Sequence, residues 1–250
     1  MRLGFFITEI FCDFLDEVVV LKNLKKFNFY IRTKKNLKDA IEEFGFVPLF
    51  ANFIKGFSIE EHVSPDAWWN SDEEWKVWAW KGPVINELKC AYGKFFNKKA
   101  VFISKKWFYD FANYRRNGYD FDAAFEDGLI SQRENHLYNV IQDKQPVTSK
   151  ILKQYINYKK NLKTEFEKII SKLQDRCYII TNDFKYLKNK YGENYGWGVA
   201  EYSTPENFFG KTFSNNVYKR TPEESYIKIF NHLKQILPEA SDKAIKKILG

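Results

Sequence analysis

The sequence predicts an α+β protein, with an aromatic-rich N-terminal α/β region and a C-terminal helical segment. Three observations predict it. Ser or Thr followed three residues later by Glu, the capping-box pattern, recurs ahead of runs with apolar residues at helical spacing. β-Branched and aromatic runs are few, and two of them flank a polar loop that contains glycine. Prolines and glycines fall where these segments end. With 250 residues the chain can bury one large core or two modest ones. Its 44% hydrophobic, 29% charged and 18% aromatic content excludes intrinsic disorder, collagen-like and coiled-coil architectures.

The first stretch, 1–35, reads as an N-terminal extension. Its apolar run MRLGFFITEIFCDFLDEVVVL is interrupted by Glu9, Asp13, Asp16 and Glu17, so neither a membrane span nor a signal peptide is expected. A cytoplasmic protein is expected. The second stretch, 36–130, is an aromatic-rich α/β region. NLKDAIEEF, 36–44, is a helix capped by Asn36 with Leu37, Ala40, Ile41 and Phe44 on its apolar face, ended by Gly45. SIEE, 58–61, starts a helix that Pro65 stops, and Ser71 with Glu74 starts another that Pro83 breaks after Gly82. AVFIS, 100–104, is a strand. Ser104 opens a helix through Arg116 that Gly118 terminates, and 118–128 is an acidic connector.

From Ser131 the pattern sharpens. SQRE, 131–134, caps a helix bearing Leu137, Val140 and Ile141; Pro146 breaks the chain; Thr148 or Ser149 caps the short helix KILKQYI. A turn over 157–163 leads to Thr164, which caps a third helix whose Phe166, Ile169, Ile170 and Leu173 form a buried stripe. CYIITNDFKYL, 177–187, and YGWGVAEYS, 195–203, are strands around the polar loop 188–194. Helix, helix, turn, helix and two-stranded hairpin is the order of a winged helix-turn-helix, expected over 131–204. There the third helix is the one that enters the DNA major groove. A C-terminal helical segment, 205–250, follows.

Charge is concentrated on the same part of the chain. Residues 144–192 hold twelve Lys/Arg and four Asp/Glu, a local net of +8, which equals the net charge of the whole chain. Such concentration is the footprint of a nucleic-acid-binding face; a solvated lysine-rich surface is the plainer reading. Lysine outnumbers arginine 33 to 7, a bias that an AT-rich bacterial genome explains as well as function does. Lys168 and Lys172, four apart on the third helix, share a face. Lys185, Lys188 and Lys190 lie in or beside the hairpin loop, and Lys150 and Lys153 on the second helix. These residues, with Arg176, are the candidate DNA contacts. Glu165 and Glu167 near the start of the third helix repel phosphate. Arg176 is the segment's one arginine, so contact with backbone and shape outweighs base reading. A winged helix that binds protein is the alternative.

Five of the seven tryptophans, Trp68, Trp69, Trp75, Trp78 and Trp80, lie in one stretch. They form either core or a pocket for a flat ligand or unstacked base, with Asp66, Asp72, Glu73 and Glu74 nearby. The lysine- and aromatic-rich stretch 89–116 fits nucleic-acid contact and a sheet edge equally. Cys12, Cys90 and Cys177, and His62, His136 and His232, are too scattered for a disulfide framework or a metal site. No Ser/His/Asp spacing, Walker loop, GxGxxG or HExxH occurs. No metal and no cofactor are expected.

The segments WAWKGPV (78–84), CAYGKFF (90–96), FISKKWFYDFANYRRNGYDFDA (102–123) and YGWGVAEYSTPE (195–206) resemble a group of bacterial proteins related to the alkyl-base DNA glycosylase AlkZ. The resemblance covers roughly residues 38–250. It implies tandem winged helices, duplex DNA as partner, a DNA-repair setting and base excision without a metal. The glycosylases carry Gln, a hydrophobic residue, then Gln or Asp. Here the glutamines read Gln132-Arg133-Glu134, Gln142-Asp143-Lys144, Gln145-Pro146-Val147, Gln154-Tyr155-Ile156, Gln174-Asp175-Arg176 and Gln235-Ile236-Leu237, and none fits. Gln174-Asp175-Arg176 is nearest in character. No catalytic residue is therefore assigned. The expected function is DNA binding mainly through phosphates, with a glycosylase-like enzyme and a protein-interaction module as alternatives.

Overall fold

The structure, a computed structural model, describes residues 26–69, 77–155, 163–192 and 194–250. It is a mixed α+β fold with two small antiparallel sheets. Helix α1 spans Lys34–Phe44, and the hydrogen-bonding pattern corrects its cap: Thr33, extended at φ −136°, is the N-cap, and Asn36 closes the box from the third position. Gly45 ends the helix at φ 74°, where a Cβ would strike the Trp107 indole. Strand β1, Phe46–Pro48, follows. Ser58 and Glu61 do exchange hydrogen bonds, at 2.6 and 3.3 Å, but the helix beside them is one 3-10 turn, Glu60–His62, whose N-cap is Ile59. Pro65 opens the next helix, α2 (Pro65–Trp69), rather than stopping one, because a proline at the first helical position lacks only an N–H with no intrahelical partner.

Helix α3, Val77–Leu88, runs through Gly82 and Pro83, where a break was expected. Proline removes one ladder bond, yet Val77, Trp80, Val84 and Ile85 are buried on both sides of it and hold the helix in register. Strands β2 (Ala91–Phe96) and β3 (Lys99–Ile103) make a hairpin, and β1 adds to it in the order β1-β3-β2. The two turn residues, Asn97 and Lys98, both have positive φ, as a right-twisted two-residue hairpin demands. Helix α4, Lys105–Arg116, ends at Asn117 in the left-handed region.

The acidic connector proves partly helical: α5 spans Phe121–Glu126, capped by Asp120, with Phe121 and Ala124 buried. Helix α6, Gln132–Lys144, starts at the expected Ser131/Glu134 capping box. Strand β4 is Val147–Thr148, and α7 is Ser149–Tyr155, with Thr148 Oγ1 accepting from Ile151 N. The turn expected over 157–163 lies almost wholly outside the described residues. Helix α8 runs Lys163–Asp175, one residue ahead of the expected Thr164 cap. Strands β5 (Ile180–Lys188) and β6 (Asn194–Ser203) form the second hairpin, and β4 completes that sheet in the order β4-β6-β5. Helices α9 (Pro205–Phe209), α10 (Lys211–Ser214), α11 (Pro222–Ile236) and α12 (Asp242–Leu249) close the chain.

Two hydrophobic clusters organise these elements. One joins residues 27–112 to the helices after 205, through Phe46, Phe96, Phe108, Phe111, Phe213, Ile229 and Leu233. The second lies within 121–202, around Phe121, Leu137, Ile141, Phe166, Ile170 and Tyr178. Of the extension expected at 1–35, residues 26–35 are described, and Phe27 and Ile31 belong to the first core.

His232 sits inside that core, stacked on Trp107 at 4.0 Å, with Nε2 2.8 Å from the Phe44 carbonyl oxygen. Burial lowers its pKa from 6.5 to about 4, Lys106 and Lys228 push the same way, and the Phe44 hydrogen bond opposes them. The unfolded chain therefore takes up this proton first as pH falls. Stability is full above about pH 6.5, and roughly 3 kcal/mol of it is lost by about pH 4 through this group. Urea unfolding across that range should show His232→Gln less stable at pH 7.5, for want of the Trp107 stack, but with a flatter acid slope. Parallel slopes would remove His232 as the cause.

Candidate nucleic-acid interface

Helix α8 is laid down by its apolar stripe. Phe166, Ile170 and Leu173 are fully buried in the second core, which turns Lys168 and Lys172 outward. Gln174 is buried with them and is satisfied at both ends: Oε1 accepts from Lys94 N at 3.3 Å, and Nε2 donates to Thr181 Oγ1 at 2.9 Å. It is a strut between α8, β2 and β5.

The described acidic residues on this surface are engaged. Glu165 pairs with Arg133, and Glu167 lies 3.8 Å from both Lys94 and Lys153. Lys172 approaches the buried Glu134 carboxylate at 3.8 Å. Lys185 contacts Asp183 at 2.7 Å and Glu201 at 3.6 Å. Arg176 donates to the Leu129 carbonyl at 2.6 Å, so its guanidinium serves the fold. The predicted cations thus divide into two groups. Lys153, Lys172, Lys185 and Arg176 have protein partners. Lys150, Lys168, Lys188 and Lys190 are exposed and have no carboxylate partner among the described residues.

The hairpin tip adds a residue that the sequence reading passed over. Tyr191 is 74% exposed. Asn189 shapes the turn, its Oδ1 accepting from Tyr191 N at 2.9 Å and its carbonyl from Gly192 N at 3.0 Å, with Gly192 at φ 82°. Lys190 Nζ stands 4.9 Å from the Tyr191 ring centre. An aromatic ring within KNKYGEN, a loop with no other apolar side chain, was the available signal.

In the other two aromatic stretches the described rings pack mainly into the first core. Trp68 and Trp80 are buried and Trp78 half-buried, with Trp68 and Trp78 in edge contact at 5.7 Å. Trp75, Asp72, Glu73 and Glu74 lie outside the described residues, as do the side chains of Asp66 and Trp69. The stretch 89–116 supplies β2, β3 and α4, and its Phe95, Phe96, Phe102, Phe108 and Phe111 are core. Lys81, on the buried face of α3, lies between the Trp78 and Phe184 rings at 4.1 Å from each, and burial lowers its pKa to about 8. Cys90 and Cys177 are buried free thiols, and burial raises both to about 12. Among the described residues no three His, Cys, Asp or Glu side chains cluster as a metal site, and no helix is long and apolar enough to cross a membrane.

A family model described as "AlkZ related" matches residues 31–250. Among solved structures the chain is similar to the Streptomyces sahachiroi DNA glycosylase AlkZ, at 9% identity and a TM-score of 0.40, over 71% of this chain and 52% of that one. It therefore spans about half the length of that glycosylase. No curated protein matches it.

Gln174 opens the glutamine triplet nearest in character to the glycosylase signature, and its geometry separates a structural from a chemical role. Gln174→Ala strands a buried amide N–H and a hydroxyl, which should cost about 2–3 kcal/mol in chemical denaturation. Unchanged stability would show that the strut contributes nothing.

Proposed function

Since the chain belongs to the AlkZ-related family, we propose that it is a DNA-binding protein of the repair type that grips duplex DNA mainly through phosphates. In this reading residues 131–204 are a winged helix-turn-helix, with α8 in the major groove and the β5–β6 tip on adjacent backbone or minor groove. The order α6, β4, α7, α8, β5, β6 and the strand order β4-β6-β5 support it, because the short strand between the first two helices pairs with the far strand of the hairpin. The observation that carries the DNA reading is the division of charge. Exposed Lys150, Lys168, Lys188 and Lys190 are available to phosphates while Glu165 and Glu167, the residues that would repel them, are neutralised by Arg133, Lys94 and Lys153. Lys153, Lys172, Lys185 and Arg176 set the surface by holding its carboxylates and loop in place, and reach phosphate only from its edge. Tyr191 adds a stacking or wedging ring at the tip. A DNA ligand implies a cytoplasmic protein, and the contacts need neither metal nor cofactor.

Base excision is not part of this proposal. No glutamine carries the signature, and Gln174 is committed to the fold. Incubation with an N7-methylguanine duplex followed by alkaline treatment should therefore give no strand cleavage above background; robust cleavage would make the protein a glycosylase.

Fluorescence anisotropy with a labelled duplex tests the interface. Affinity should fall steeply with salt, and Lys168→Ala and Lys188→Ala/Lys190→Ala should each lower the slope of log affinity against log salt by about one per lost phosphate contact. Tyr191→Ala should weaken binding and leave the slope unchanged. All three substitutions are at exposed positions, so stability should hold within about 0.5 kcal/mol. No binding even at low salt would replace DNA with a protein partner.

A further inference from the structure

A cleft of about 230 Å³ opens where α4 begins, between Glu42 of α1, Leu88 at the end of α3, Cys90 beyond it, and Ser104, Lys105 and Lys106. Helix α4 is twelve residues long, with no acidic residue in its first turn, so no carboxylate of the helix itself offsets the positive end of its dipole. Ser104 occupies the N-cap yet its side chain does not cap. The first turn is tightened: Trp107 N and Phe108 N both donate to the Ser104 carbonyl at 3.0 Å, which already satisfies the N–H a capping hydroxyl would take. Ser104 is only 8% exposed and lines the cleft, and its Oγ has no partner among the described residues. The backbone N–H groups of Lys105 and Lys106 likewise have no acceptor among those residues. A hydroxyl, two amides and two lysines thus border the cleft at a helix N-terminus, with the Lys106 ammonium 5.9 Å from the Trp107 ring centre. Cys90 stays a neutral thiol. Glu42 is the one opposing charge in the lining.

We infer that this cleft is an anion site that takes a single phosphate group on Ser104 Oγ, the Lys105 and Lys106 amides and their ammonium groups. It is separate from the α8 surface. Helix α4 is about 18 Å long, and its other end, at Arg115, is the end joined to Asp175 of α8. The phosphate belongs either to the DNA backbone, as a second contact, or to a free phosphate or phosphomonoester.

Inorganic phosphate titrated into the ¹⁵N-labelled protein, with chloride holding ionic strength constant, tests the site. The Lys105 and Lys106 amide signals should shift saturably. Affinity should fall by about fivefold or more in Lys105→Gln/Lys106→Gln, through loss of charge-assisted bonds, and rise by about twofold in Glu42→Gln. Both variants alter side chains at the cleft mouth, and an unchanged melting temperature confirms their fold; Ser104→Ala should also weaken binding. No saturable shift, or an affinity indifferent to the Lys105→Gln/Lys106→Gln and Glu42→Gln changes, overturns the site. Addition of saturating duplex then distinguishes the sources. Displacement of phosphate from the cleft identifies the DNA backbone, and retention identifies a free phosphate group.

Discussion

The structure depends on one buried guanidinium. Arg116, at the end of α4 and 4% exposed, donates from Nη1 to Glu206 at 2.7 Å and Tyr218 at 3.1 Å, and from Nη2 to the Cys177 carbonyl at 2.8 Å. The rings of Tyr178 and Phe213 flank it at 4.9 and 5.1 Å. Burial opposes its charge, but Glu206 and Tyr218 more than offset that and hold it firmly ionised. Removing one partner of such a pair typically costs about 3–5 kcal/mol, because the other charge is left buried and uncompensated. Arg115 beside it donates from Nε to the Asp175 carbonyl at 2.8 Å and pairs with the Asp175 side chain. Two consecutive arginines of the first core thereby hold the C-terminal end of α8 and the residues that follow it. The pose of α8 is set from outside its own cluster.

The surface follows the same logic in electrostatic form. A local excess of +8 over 144–192 repels itself unless some of it is spent inside the protein. Lys153, Lys172 and Lys185 are spent on Glu167, Glu134, Asp183 and Glu201, and two further cations, Arg133 and Lys94, come from outside the segment to Glu165 and Glu167. The carboxylates near the start of α8 suit its dipole and are paired as well, so they shape the helix end without dominating its field.

What the sequence disclosed was local. Ser131 with Glu134, Gly45, and the Phe166, Ile170, Leu173 stripe act within a few residues, and each took its expected place. Where a tertiary contact decided the outcome, the sequence misled. Pro83 reads as a break, yet the buried residues on both sides carry α3 through it. Strands β1 and β4, of three and two residues, have no pattern of their own and exist only because β3 and β6 lie alongside. The lysines were visible as positions, but their division into paired and unpaired was not, because partners such as Arg133 for Glu165 and Lys94 for Glu167 lie 32 and 73 residues away. Tyr191 was hidden for the opposite reason: a single aromatic among so many carries no weight until its exposure is known.

The seam between the two cores explains why the fold tolerates so many buried polar groups. Gln174 bonds Lys94 N and Thr181, Asn86 donates to the Asn182 carbonyl at 3.2 Å, Asn182 donates to the buried Glu201, and Lys81 lies between Trp78 and Phe184. An apolar seam of the same area would stabilise at least as well, since burying such groups costs free energy that their hydrogen bonds only offset. Apolar contact, however, is non-directional and permits sliding, whereas these bonds are met at one relative placement of α3, β2 and β5. On the proposed function, phosphate-based recognition needs several cations held at backbone spacing at once, and a rigid seam serves that better than an additional increment of stability. The polar groups that look costly as core are what keep Lys168 on α8 and Lys188 at the hairpin in one frame.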